Sequence, residues 1–145
     1  DFTDNLGTEV VSDVIDGLDF SSAIQAHEDW KRRLLAVIND PTAERPDPEK
    51  VACDNGCVLG KWIHGPGKLA HGSSPMLFAL RTHHAHFHKA AACVLEKALN
   101  GERDAANEIL SGEFSKTSAL VKDDLLQLYV EARSKQAPQR GTAVA

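Results

Sequence analysis

The spacing of apolar residues in one long segment constrains the fold most. From Pro75 to about Leu99 the inward positions recur every three or four residues, which is typical of a helix packed in a bundle. These positions are Leu77, Leu80, His84, Phe87, Ala91, Val94 and Ala98. Ser73 or Ser74 before Pro75 predicts the start of this helix, and Gly101 predicts its end. The segment predicts an all-α chain that folds as an antiparallel helical bundle.

Other segments fit the same architecture. A helix is predicted over "FSSAIQAHEDWKRRLLAVIN", starting near Asp19, and a last helix carries an alternating three-and-four spacing. The apolar and small positions of that last helix are Phe114, Ser118, Val121, Leu125, Leu128 and Ala132. Between the first and second long helices, "DPTAERPDPEK" is predicted as loop, and the glycine-rich stretch after it has room for short helical turns.

The chain ends and the short connections complete the predicted organisation. Residues 1–17 are predicted as an amphipathic connector helix broken by Asp16-Gly17, residues 18–135 as the bundle, and residues 136–145 as a disordered tail. A short helix, "ERDAANEIL", is expected to end at Ser111-Gly112. The chain begins at Asp1 without a methionine, so we expect it to be part of a longer receptor, with a free-standing protein as the alternative.

Composition excludes some classes of function. The chain has 145 residues and a formal net charge of −5, which argues against a nucleic-acid-binding surface. No apolar run is long enough to insert in a membrane. Three cysteines, without an export signal, favour metal or thiol chemistry over a disulfide framework. We therefore expect a cytoplasmic protein.

The stretch "HHAHFHKAAA" places four histidines in six positions and raises the question of what they bind. His84 lies among the inward positions, and His88 follows one turn later on the same face, a spacing that can hold a metal ion. His27 lies on the apolar stripe of the first long helix. Three inward imidazoles predict a cation. The alternative is that His27 is a hydrogen-bonded core residue, while His83 and His86 are expected at the surface or as outer hydrogen-bond donors.

The residues considered so far do not decide which side chain is the fourth ligand. The insertion offers cysteines and histidines that could instead form a separate loop site, namely Cys53, Cys57, His64 and His71. The C-x3-C spacing is not the usual C-x2-C knuckle, which weighs against that loop site. Histidine with thiolate indicates zinc, because a di-iron bundle would need paired Glu-x-x-His motifs, which the sequence lacks. Cys93, off the ligand face, is predicted to be a small buried residue.

Three fragments in this order, "AIQAHEDWKRRL", "CVLGKWI" and "HHAHFHKAAA", closely resemble the chemoreceptor zinc-binding domain, a bacterial sensory module. The resemblance covers about residues 18–135. It implies a four-helix bundle with an additional short helix that carries the cysteine, and one zinc ion held by His27, Cys57, His84 and His88. It also implies that Trp62 anchors the cysteine-bearing turn.

The resemblance further implies a regulatory function. The family is associated with zinc and hypochlorous acid sensing and with control of chemoreceptors or diguanylate cyclases. We therefore expect a non-enzymatic, zinc- or oxidant-responsive domain that acts as a homodimer beside an upstream signalling domain, with Cys53 as a candidate resolving thiol. The first alternative is a purely structural zinc bundle for dimerisation or interaction. The second is a metal-dependent hydrolase, for which Glu28 and Asp29 are the only candidate bases.

Overall fold

A computed structural model describes the backbone of residues 14–144 and the side chains of residues 14–134. The described chain is mostly helical, which confirms the predicted all-α class at this level. Its helices are α1 (Phe20–Asn39), α2 (Pro48–Ala52), α3 (Val58–His64), α4 (Pro66–His71), α5 (Pro75–Leu99), α6 (Arg103–Ile109) and α7 (Ser115–Val144). A π-helical segment, Leu110–Phe114, joins α6 to α7. No helix in this part of the chain has the length and apolar content needed to cross a membrane.

The first described residues form a small antiparallel hairpin. Strand β1 is Val14–Ile15 and strand β2 is Leu18–Asp19, with Ile15 opposite Leu18. The turn residues Asp16 and Gly17 have φ values of 52° and 87°, the left-handed conformation that a tight two-residue hairpin turn requires. Ile15 and Leu18 are buried in the core. The hairpin therefore packs residues 14–19 against the helices.

Side-chain caps fix where the two helices that matter most begin. Asp19 accepts a hydrogen bond from the backbone N–H of Ser22 at the start of α1. Ser74 accepts one from Met76 at the start of α5, with Pro75 as the first helical residue. Helix α5 therefore begins as the sequence predicts. Gly101, just beyond its end, has a φ of 80°, as expected for a glycine at a helix C-terminus.

Helix α5 is the centre of the core and packs against α7, α1, α6 and α2. All seven inward positions predicted for it are buried, including His84. In the last helical region Phe114, Val121, Leu125, Leu128 and Ala132 are buried too, while Ser118 is partly exposed. The spacing thus predicted the buried faces of both segments correctly.

Four local predictions differ from the structure. Val14 and Ile15 lie in a strand instead of the predicted connector helix, because the two left-handed turn residues close a hairpin; residues 1–13 of that helix lie outside the described part. Helix α2 begins at Pro48, inside the predicted loop, because Asp47 caps it by accepting a hydrogen bond from Glu49 N–H.

The other two differences concern helix ends. Ser111-Gly112 does not end a helix, because the buried side chains of Leu110 and Phe114 hold the chain in the π-helical segment. The sequence predicts a disordered tail from residue 136, whereas the described backbone of α7 continues to Val144.

Candidate metal centre

Two histidines of α5 and one cysteine converge inside the molecule. His84 and His88 lie one turn apart, and their Nε2 atoms are 3.1 Å from each other. Cys57 Sγ lies 3.4 Å from His84 Nε2 and 3.5 Å from His88 Nε2. In the described residues, the donor atoms of these three side chains form a group in which all lie within 4.8 Å of one another. The structure thus brings together three of the four predicted ligands.

The distances between these donors fit a zinc ion. In a tetrahedral site with Zn–N of about 2.0–2.1 Å and Zn–S of about 2.3 Å, two nitrogens lie about 3.3 Å apart, and a nitrogen and a sulfur about 3.6 Å apart. The observed separations of 3.1, 3.4 and 3.5 Å are close to these values. The three donors therefore resemble three corners of a zinc tetrahedron.

His27 lies beside this group on α1. Its ring centroid is 5.5 Å from that of His84 and 4.4 Å from that of Phe87. The side chain is 4% exposed, and its Nε2 atom is buried without a hydrogen-bond partner in the described part of the chain. None of its nitrogens belongs to the group of three donors. His27 therefore stays a predicted ligand, although an unpartnered buried nitrogen is what a fourth ligand would offer before a metal binds.

Backbone carbonyls fix the proton of two of these rings. His27 Nδ1 lies 3.0 Å from Ala23 O, and His88 Nδ1 lies 2.8 Å from Val51 O. Because a carbonyl only accepts, each Nδ1 must donate, which leaves the lone pair of a neutral ring on Nε2. His84 Nδ1 has no partner among the described residues, so no hydrogen bond at this nitrogen fixes the proton of that ring. Val51 was not predicted, because its contact is through a backbone carbonyl in the glycine-rich stretch expected to form short helical turns.

Burial keeps the three imidazoles neutral. Loss of water lowers the pKa of His27 from 6.5 to about 4 and that of His84 to about 2, and it also lowers the pKa of His88. Neutral imidazole is the form that binds metals. Burial likewise raises the pKa of the Cys57 thiol, so a cation is needed to hold that sulfur as thiolate. The site thus combines neutral nitrogen donors with a sulfur whose thiolate form a cation would stabilise.

Cys57 is held by the start of a short helix. It is the N-cap of α3, and its Sγ accepts a hydrogen bond from Gly60 N–H at 3.3 Å. A Cβ atom at Gly60 would lie 1.7 Å from Asp54 O, so only glycine allows the helix to approach this loop so closely. Trp62, on the same helix, is buried and donates from Nε1 to Asp16 O at 2.9 Å. This placement agrees with the anchoring role predicted for Trp62.

The alternative loop site is not assembled in the described residues. His64 Nε2 lies 3.3 Å from Asp54 Oδ2, whereas His71 Nε2 donates to the Asp16 carboxylate at 2.8 Å. Cys53 is exposed. Neither histidine belongs to the group of three donors. These two histidines therefore bind carboxylates, each in a different part of the structure.

The remaining histidines of "HHAHFHKAAA" lie outside the cluster. His86 is exposed, as predicted. His83 is partly buried, and its Nδ1 lies 2.5 Å from Asp124 Oδ2, which links α5 to α7 instead of supporting a ligand. Cys93 is exposed, so the prediction of a small buried residue was wrong. Its position on α5 falls one residue before the inward Val94, on the helix face turned to water.

The carboxylates required by a hydrolase point elsewhere. Glu28 Oε2 lies 3.6 Å from Lys122 Nζ on the surface. Asp29 accepts hydrogen bonds from Gln25 and Arg32. Neither carboxylate belongs to the group of three donors. The two carboxylates named from the sequence are therefore engaged outside the group of three donors.

Comparison with known proteins agrees with this site. The family model of the chemoreceptor zinc-binding domain matches residues 27–95, a range that begins at His27 and includes Cys57, His84 and His88. The comparison with curated proteins finds no match, and neither does the comparison with solved structures. The match over residues 27–95, with the Cys-His cluster inside it, confirms the resemblance to the chemoreceptor zinc-binding domain family.

Proposed function

We propose that this chain is a regulatory zinc-binding sensory domain, with one zinc ion held by His27, Cys57, His84 and His88. The observation that carries the proposal is the convergence of Cys57 Sγ and two imidazole nitrogens at 3.1–3.5 Å, close to the edges of a zinc tetrahedron. The unpartnered Nε2 of His27 supplies a candidate for the fourth corner.

The residues of the site have different roles in binding zinc. The imidazoles offer lone pairs, with the carbonyls of Ala23 and Val51 keeping the protons of two rings on Nδ1. Zinc, when bound, supplies positive charge that stabilises the Cys57 thiolate. Three neutral imidazoles and one thiolate leave a net charge of about +1 and no open coordination position. We therefore propose that the domain is not an enzyme.

Cys57 is the ligand that we propose responds to the signal. A two-electron oxidant such as hypochlorous acid would convert the thiolate to sulfenic acid and release chloride, which removes the negative charge that holds the metal. The three histidines lie on long packed helices, whereas Cys57 precedes a helix of seven residues. Loss of the bond to sulfur would therefore free α3 first.

The proposal extends to the setting of the domain. We propose that the long helices and α6 run as an antiparallel four-helix bundle, that two copies pair, and that a chemoreceptor or diguanylate cyclase domain reads the state of α3. We also propose a reducing, cytoplasmic location, where zinc-bound thiolate would persist. Size measurement in solution, with and without zinc, tests the pairing.

Metal analysis before and after oxidant tests the central proposal. The purified chain should contain one zinc per chain, lose it after treatment with hypochlorous acid, and regain it after reduction. Cys57→Ala should bind zinc weakly and no longer respond. His86→Ala is the matched control, because this exposed histidine lies on the same helix outside the cluster. A wild-type chain that is fully helical and binds no zinc would overturn the proposal.

A purely structural zinc bundle is the second candidate. It is favoured by the burial of His84, which is 0% exposed, and of His88, which is 4% exposed. The same oxidant experiment separates the two candidates. A structural site should keep its zinc at oxidant levels that a sensing site does not survive.

A further inference from the structure

A cavity of about 460 Å³ opens beside the metal centre. One wall is formed by α1, including Ala26 and Trp30, and the other by the start of α3, including Val58. Cys57, His27 and His88 also line it. The cavity thus leads from the surface to the sulfur and to the unpartnered Nε2 of a histidine that is 96% buried.

The cavity is much larger than the cluster requires. One water molecule occupies about 30 Å³ of liquid volume, and sites for small organic ligands are usually about 300–1,000 Å³. A volume of about 460 Å³ is therefore far more than a metal ion or a molecule of hypochlorous acid fills. It is the size of a site for a small organic molecule.

The lining selects against negative charge. It is mostly apolar, and its one carboxylate, from Asp19, caps α1 through the backbone N–H of Ser22. No lysine or arginine is among the lining residues that the structure describes. Arg33 stacks on the Trp30 ring at 4.5 Å, but its charge is paired with Glu44 at 3.1 Å. An anion entering here would lose water and meet the Asp19 carboxylate, and no side-chain cation of the lining residues would compensate it.

We propose that this cavity binds small, uncharged organic electrophiles with an apolar body and delivers them to Cys57, which they alkylate. The sulfur donates an electron pair to an electrophilic carbon and forms a carbon–sulfur bond. The displaced pair leaves with a departing anion or, in conjugate addition to an enone, passes to the α carbon, which takes a proton from water. The inference rests on the proposed function only in treating Cys57 as the responsive ligand.

Three alkylating probes that differ in charge and in apolar size test the proposal. Iodoacetamide is neutral, iodoacetate is its anionic counterpart, and iodoacetanilide is neutral with a phenyl group; each forms the carbon–sulfur bond and releases iodide. The chain is treated with each probe in its zinc-loaded form and after removal of metal with a chelator, and the rates at Cys57 and at the exposed Cys53 are measured by peptide mass spectrometry. Cys53 reports the intrinsic reactivity of the probes in the same sample.

The expected result is a preference confined to Cys57. In the chelator-treated chain, the ratio of the iodoacetamide to the iodoacetate rate should be about tenfold higher at Cys57 than at Cys53, because Asp19 opposes the anion and no bound metal offsets its charge. Iodoacetanilide should react at Cys57 with a rate that saturates with concentration, which indicates binding before reaction. Equal ratios at the two cysteines, or no saturation, would overturn the proposal.

Two variants assign the preference to the cavity. Ala26→Phe fills the cavity from its α1 wall and should slow iodoacetanilide at Cys57 several-fold, with Cys53 unaffected. Gln25→Phe is the matched control, since this exposed neighbour does not line the cavity. Asp19→Asn keeps a good helix cap but removes the charge, so it should raise the iodoacetate rate at Cys57. Unchanged rates in Ala26→Phe or in Asp19→Asn would contradict the proposal.

The probe experiment distinguishes failure of the cavity inference from failure of the zinc proposal. The probe ratios are compared in the zinc-loaded and the chelator-treated chain. Because the same thiolate attacks both probes, each ratio does not depend on how much thiolate is present. A chain that binds no zinc but keeps the neutral-probe preference refutes the proposed function alone. A zinc-binding chain without the preference refutes only the cavity inference.

Discussion

The two sides of the metal centre are built differently. His84 and His88 lie on a helix of 25 residues at the centre of the core, and their side chains are almost fully buried. Cys57 is only partly buried and precedes a helix of seven residues, which touches few other elements. The histidine side is therefore fixed by packing, whereas the cysteine side is fixed by a few hydrogen bonds and one close backbone approach. The difference indicates which ligand moves first when the site changes.

Removal of a ligand from either side should have the largest effect. Zinc sites contribute roughly 10–16 kcal/mol of binding free energy, so each of four ligands is worth roughly 2.5–4 kcal/mol, or about a hundredfold to a thousandfold in affinity. We expect Cys57→Ala and His84→Ala each to lower zinc affinity by about this factor, measured by competition with a chelating dye. The two should differ in helicity without metal, with His84→Ala losing more. Equal helicity would remove the contrast between the two sides.

Acid should destabilise the histidine side. The folded chain keeps His27 and His84 neutral because burial lowers their pKa from 6.5 to about 4 and about 2, whereas the unfolded chain protonates both below about pH 6.5. The unfolded state then binds more protons, so stability falls as pH falls from about 6.5 toward those lower values. We expect a loss of about 2 kcal/mol for each imidazole at pH of about 5.

Urea unfolding in the presence of a chelator, at neutral and at acidic pH, measures that loss. His86→Ala, which removes an exposed histidine, should retain the full pH dependence. A metal-free chain that is equally stable at both pH values would show that the two imidazoles are more solvated than their burial indicates.

A methyl group at Gly60 should loosen the cysteine side alone. The added Cβ would overlap Asp54 O, so the loop and α3 must separate. We expect Gly60→Ala to lower the free energy of unfolding by about 1–3 kcal/mol and to speed zinc loss under oxidant. Gly112→Ala is the control, because its Cβ would meet nothing within 4 Å, and it should leave stability unchanged or slightly raised. Similar effects for both glycines would contradict the assigned role of Gly60.

The smallest expected effect concerns the link between α3 and the hairpin. Trp62→Phe keeps an aromatic ring in the core but loses the hydrogen bond from Nε1 to Asp16 O. We expect a loss of about 1 kcal/mol in urea unfolding and a faster exchange of the amide hydrogens of α3. If exchange slows or stays constant, the hairpin does not restrain α3.

The sequence predicted the regular helices better than the short irregular elements. The spacing of residues 77–98 predicted a buried helix with His84 inside, since one regular period decides which face is buried. The hairpin was missed because two strands of two residues leave no periodic signal. The π-helical segment was missed because Ser111-Gly112 normally ends a helix, and only packing of Leu110 and Phe114 overrides that preference.

The predicted ligands on a regular helix follow from the sequence, whereas the site residues in irregular segments do not. His84 and His88 follow from helical spacing, but the choice of Cys57 came from a family resemblance, because no period relates a loop residue to a helix face. The carbonyl of Val51, which orients His88, could not be predicted, since a backbone atom leaves no trace in the residue types. The exposure of Cys93 was missed because free cysteine is usually buried, and residue type outweighed its position outside the seven inward positions of α5.

The turn of the hairpin connects two events that are far apart along the chain. Asp16 receives Trp62 through its carbonyl and His71 through its carboxylate, so one residue restrains both α3 and α4. Any displacement of the segment that follows Cys57 would therefore be transmitted, across two hydrogen bonds, to the strand through which the preceding residues enter. If oxidation of Cys57 displaces α3 as we propose, a label attached at Val14, 43 positions earlier in the chain, should report it.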